Sequence, residues 1–73
     1  MPANIEHRPF AGHNYRVGYT TFKGQAITYN IRKATVRKGY VGISLKPGAP
    51  VLHADTLAQM SSELYNVELK YPA

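Results

Sequence analysis

The chain has 73 residues, nine Lys/Arg against four Asp/Glu for a net charge of +5, and no cysteine. That length allows one small domain, and the missing thiols exclude disulfide staples and thiolate metal sites as sources of stability. No stretch approaches the roughly 20 apolar residues of a membrane span, and the N-terminus lacks the apolar core of a signal peptide, so a cytoplasmic location is expected.

Residues 1–13 hold Pro2, Pro9, Gly12 and Asn4 and show no sustained period. They are expected to form a flexible leader, or a short strand that ends before Pro9, ahead of one domain over 14–73. His7 and His13 lie here without a third ligand at a recognisable spacing, which favours loop histidines over a metal site. From Asn14 to Lys23 apolar and polar residues alternate, with Tyr15, Val17, Tyr19 and Thr21 on one face and Arg16, Gly18, Thr20 and Phe22 on the other. Period 2 with β-branched and aromatic residues predicts a half-buried strand. Gly24-Gln25 makes a tight connection, and Ile27, Tyr29 and Ile31 then share a face, so the two runs read as an antiparallel hairpin.

Past Arg32 the phase slips, because Ala34 and Val36 are even-numbered where the apolar residues had been odd. Either a bulge or a strand end is expected near Arg32-Lys33. Arg37-Lys38-Gly39 turns the chain into a third strand, Tyr40 to Lys46, with Val41, Ile43 and Leu45 on one side. If odd-numbered residues point inward throughout, the three strands form a meander with one apolar face. Pro47 and Pro50 cannot continue a central strand, and Val51-Leu52 is at most a short extended piece. Asp55 is a candidate N-cap, and Leu57, Met60 and Leu64 at i, i+3 and i+7 give the helix that follows one apolar face. Asn66 is a plausible helix stop, after which Val67, Leu69 and Tyr71 alternate as a last strand. The expected fold is α+β: a three-stranded antiparallel meander, one amphipathic helix on one face and a short C-terminal strand, in the order β-β-β-α-β.

No reaction is announced. His53 and Asp55 stand two apart but have no nucleophile or second carboxylate beside them, and a capping Asp next to a loop His is the simpler reading. The glycines form no phosphate loop, since Gly39-Tyr40-Val41-Gly42 lacks a following Lys-Ser/Thr. No enzyme, cofactor or metal is therefore expected. What the residues do offer is an outer sheet face and turns rich in cations and rings. Arg16, Arg32, Lys33, Arg37, Lys38 and Lys46 would meet phosphates, and Phe22 and Tyr40 would offer stacking surfaces, the combination used on single-stranded nucleic acid. The plain alternative is a solvated sheet face with two stray aromatics.

The segment Gly39-Tyr40-Val41-Gly42-Ile43-Ser44-Leu45, then Pro47-Gly48-Ala49-Pro50-Val51, then Ala54-Asp55-Thr56-Leu57 resembles the strand–loop–helix of HicB-like antitoxins. The resemblance runs roughly from residue 39 to 65, and its most distinctive element is Asp55-Thr56-Leu57 after Pro47-Gly48. It implies a small sheet with one helix packed on it, and a homodimeric protein–protein interaction subunit that binds a basic, RNA-cleaving toxin. Two readings thus stand: a basic module for nucleic acid or an acidic protein, and a HicB-like interaction subunit. They differ in salt response, because phosphate binding weakens steeply with salt and apolar self-pairing does not.

Overall fold

Six elements follow one another in this computed structural model, which describes residues 4–7 and 16–73: β1 (Asn4–His7), β2 (Arg16–Phe22), β3 (Gln25–Lys33), β4 (Tyr40–Ile43), β5 (Leu52–Ala54) and α1 (Leu57–Lys70). The five strands lie side by side in chain order, every pair antiparallel. The class is α+β, with two more strands than the expected meander. One is β1, the short strand ahead of Pro9 that is one of the two expectations for residues 1–13, paired with β2. The other is β5, which includes the expected extended piece at Leu52. The six-residue loop 34–39, closed by the Ala34 amide donating to the Gly39 carbonyl at 2.9 Å, is where β3 ends, so no bulge continues it.

The central hairpin decides which side chains face the helix. Phe22 pairs with Gln25, so only Lys23 and Gly24 lie between the strands, with φ of 53° and 80°. Two successive positive φ values match the tight turn whose twist suits a hairpin. Across a two-residue loop the partners are i and i+3, so an inward position changes from even to odd. Gly18, Thr20 and Phe22 of β2 therefore lie on the same face as Ile27, Tyr29 and Ile31 of β3. Loop 34–39 also holds an even number of residues, and the inward set returns to even positions in β4 (Tyr40, Gly42) and stays even in β5 (Leu52, Ala54). Of the three strands expected, odd inward positions thus hold for β3 alone, since in a period-2 strand one step of register moves the whole set of side chains to the other face.

The helix covers this face. Met60, Leu64 and Val67 are buried, and Leu57 and Tyr71 pack at the margins of the same core. These five positions continue one stripe at 57, 60, 64, 67 and 71, so Val67 to Lys70 extend the helix rather than form the expected last strand, and Asn66 does not stop it. The cap is Thr56, not Asp55: its Oγ1 accepts from the Gln59 amide at 3.1 Å, while Gln59 Oε1 accepts from the Asp55 amide at 2.9 Å. This is a Thr-x-x-Gln capping box shifted one residue outward in its return bond. At the far end the Lys23 amide donates to the Tyr71 carbonyl at 2.7 Å, tying the helix terminus to the β2–β3 turn.

Two contacts set how closely helix and sheet approach. The buried Thr20 hydroxyl donates to the Leu64 carbonyl at 2.7 Å. A Cβ added at Gly18 would lie 2.7 Å from Leu64 Cδ1 and 2.9 Å from Ile31 Cδ1. Leu64 occupies the space that a side chain at position 18 would need. Gly39 is constrained differently: its φ is 106°, and a Cβ there would fall onto the Ala54 carbonyl oxygen. Among the described residues no helix is long and apolar enough to cross a membrane.

Candidate nucleic-acid interface

The sheet topology sorts the expected site residues into three places. One group gathers at the end of the sheet where β3 passes into β4. Arg32 and Lys33 close β3, Arg37 and Lys38 lie in loop 34–39, and all four are exposed. Arg16 begins β2 opposite Ile31, which makes it the diagonal same-face neighbour of Lys33, at about 7–8 Å between Cα atoms. Arg16 and Lys33 lie on the helix side of the sheet and Arg32 on the open side, so the cations wrap around one end instead of paving one face. Asp55 borders this end, its Cα 3.0 Å from where a Cβ on Gly39 would lie.

Lys46 sits at the opposite end. It opens the turn Lys46-Pro47-Gly48-Ala49, closed by the Ala49 amide donating to the Lys46 carbonyl at 3.1 Å, with Gly48 at φ 87°. Pro at the second position and a positive-φ Gly at the third are what a type II turn requires. The Lys46 amide also donates to Ser44 Oγ at 3.2 Å, which holds the loop against the end of β4. Lys46 itself is half-buried.

The third group corrects the expectation. Phe22 is only 2% exposed, its ring 4.9 Å from that of Tyr71 and capped by Lys23 Nζ at 5.3 Å. It belongs to the core and cannot stack on a ligand. Tyr40 is half-buried and packs on the same core from the helix side. Both follow from the change of parity at the two loops. Thr20, also expected on the wet side, is buried for the same reason.

The face opposite the helix carries Val17, which is buried, with Tyr19 and Thr21 of β2, Ala26, Thr28, Asn30 and Arg32 of β3, Val41 and Ile43 of β4, and His53 of β5. Tyr19 was expected to point inward. It stands instead on this face, and its hydroxyl donates to Glu6 Oε1 at 3.2 Å, which fixes the outer end of the ring. Leu45, just past β4, is 90% exposed and Ile43 is 49% exposed. Between Tyr19, Thr28 and Leu45 runs a groove of about 460 Å³, lined also by Thr21, Ala26 and Lys46. A volume of this size suits a small planar group, with most of the lining apolar and hydroxyls at intervals. The signal for it was present in the Lys23-Gly24 turn, whose parity rule puts Tyr19 on the side opposite Tyr29.

His53 and Asp55 are both exposed, and the Asp55 amide is engaged by Gln59 at the helix start. Among the described residues no three His, Asp or Glu side chains come together as metal ligands. The imidazole of His13 and that of His7 lie outside the described side chains. The titration of Tyr29 is shifted: burial pushes its hydroxyl above its ordinary value of 10.0, and the nearby Tyr71 adds to the shift. That hydroxyl donates to the Pro50 carbonyl at 2.8 Å and so anchors the β4–β5 loop.

The fold and this surface define a small basic α+β domain. Comparison of the chain with family models, with curated proteins and with solved structures gives no match.

Proposed function

We propose that this protein is a non-catalytic binding module for nucleic acid, engaging the phosphate backbone through the cationic end of its sheet. The observation that supports this reading is the gathering of Arg16, Arg32, Lys33, Arg37 and Lys38, from two strands and one loop, around a single end of the domain. A cluster of this kind concentrates the field of a chain with net charge +5 and attracts a polyanion by releasing its counterions. Phe22 has no part in the proposal, and Tyr40 contributes at most its exposed edge.

The test is a titration of mixed-sequence oligonucleotides at low and moderate salt, with an Arg37→Gln/Lys38→Gln double variant beside the wild type. Both positions are exposed, so the fold should persist. The variant should bind every oligonucleotide more weakly, and its salt slope should fall by about 0.9 for each lost phosphate contact on duplex. Absence of wild-type binding at low salt removes the reading. The exposed Ile43 and Leu45 support a second one, a homodimeric interaction subunit of HicB-like type, for which sedimentation across a concentration series should show association that persists in high salt.

A further inference from the structure

We infer that the groove between Tyr19 and Leu45 receives an unpaired base, so that the ligand is a single strand lying along β3 from the cationic end to Lys46. This rests on the nucleic-acid reading above and deepens it.

The argument starts from the geometry of one face. Tyr19 and Thr28 are paired neighbours on β2 and β3, with Leu45 on the far side of Thr28, so the groove has a ring for one wall, a short hydroxyl side chain for its floor and an aliphatic side chain for the other wall. Tyr19 lies one strand spacing, about 4.8 Å, from Thr28, and Leu45 follows the end of β4 on the other side of β3, leaving between them the groove of about 460 Å³ into which a flat ring can enter edge-on. A base has an apolar π-face and polar edges. The first suits Tyr19 and Leu45, and the second suits the Thr21 and Thr28 hydroxyls. The bond from the Tyr19 hydroxyl to Glu6 orients the ring before any ligand arrives, which lowers the ordering cost of stacking.

Charge placement selects the class of occupant. Lys46 lies at the rim of the groove, and Arg32 lies on the same open face four residues from Thr28, about 14 Å along the strand. An apolar slot with a cation at its rim and further cations one strand-length away matches an alternation of bases and phosphates. A duplex presents its phosphates to the same cations but keeps its bases stacked, so it cannot fill the groove.

The experiment compares a fluorescent single-stranded eight-mer with a duplex of the same sequence, and also places 2-aminopurine at each position of the single strand in turn. The wild type should bind the single strand more tightly than the duplex and alter the emission of 2-aminopurine at one or two positions. Tyr19→Ala should weaken single-strand binding about tenfold and leave duplex binding unchanged, while Tyr19→Phe should retain most of it. Leu45→Ser, at a position that is 90% exposed and so outside the core, should also weaken the single strand selectively. Equal affinity for both oligonucleotides, with Tyr19→Ala and Leu45→Ser silent on both, would overturn the groove assignment and leave the cationic end standing. Failure of both oligonucleotides to bind at low salt would remove the two proposals together. Conversion of a wild-type dimer to a monomer by Leu45→Ser would assign the face to a second copy of the chain and overturn the inference as well.

Discussion

Replacing Gly18 by alanine tests the closest approach in the fold. The added methyl would meet Leu64 Cδ1 at 2.7 Å and Ile31 Cδ1 at 2.9 Å, both nearer than carbon atoms tolerate. Neither neighbour can swing into solvent, since Leu64 and Ile31 are 0% and 1% exposed. The helix must therefore lift, or two core side chains must leave their rotamers, at a cost of about 1–3 kcal/mol. Against this, alanine reduces the freedom of the unfolded chain and recovers about 0.4–1 kcal/mol where the site accepts it. Lifting the helix would also stretch the bond from Thr20 to the Leu64 carbonyl, so the net expectation is destabilisation by about 1–2 kcal/mol. For a domain of this size that is a drop in melting temperature of roughly 4–16 °C, read by circular dichroism of the helix. Gly42→Ala is the matched control. Its nearest neighbour would be Met60 Sδ at 3.4 Å, a flexible thioether, and its stability should stay within about 0.5 kcal/mol of wild type. A Gly18→Ala protein as stable as wild type would show that Leu64 does not lie over position 18, and the helix placement argued above would be wrong.

Thr20→Val keeps the shape but removes the donor to Leu64, and should cost about 1 kcal/mol in urea unfolding; no change would mean that the bond contributes nothing net. Tyr29→Phe should cost a similar amount through the lost bond to Pro50. Its pH profile should also differ. Because burial raises the Tyr29 hydroxyl above 10.0 in the folded state, the unfolded chain loses that proton first. The associated stability is intact below pH 10 and is lost as pH rises through the folded-state value, so wild type should weaken in that window more steeply than the Phe variant. Thr56→Ala removes the helix cap and should lower stability by about 1 kcal/mol, whereas Asp55→Ala, which leaves the Thr56–Gln59 bond in place, should cost less.

How much was legible in the chain differs from element to element. The two strands of the hairpin, the turn at Gly39 and the amphipathic helix could all be read from periodicity and turn chemistry. The helix stripe even continued through Val67 and Tyr71, but Val67, Leu69 and Tyr71 also fit a period-2 strand. A short apolar alternation admits both periods until packing chooses. Packing chose the helix, because Val67 enters the core while Leu69 faces solvent. The candidate site was less legible. The cations of the β3–β4 loop stand exposed where the sequence put them, but Phe22 and Tyr19 exchanged roles. One is a core residue and the other lines the groove, because the side of the sheet that received the helix was even-numbered in β2.

By itself the sequence determined local matters: where strands and turns form, that one helix is amphipathic, and that the whole carries an excess of positive charge. Those follow from backbone preferences and side-chain periodicity over a few residues. Only the tertiary structure decided which face of each strand is buried, that β1 and β5 complete the sheet, and that Arg16 joins the cations of a loop some twenty residues away. Facing is a relation between strands, set by register across loops and by where Leu64 and Met60 find room, and no single strand contains that information.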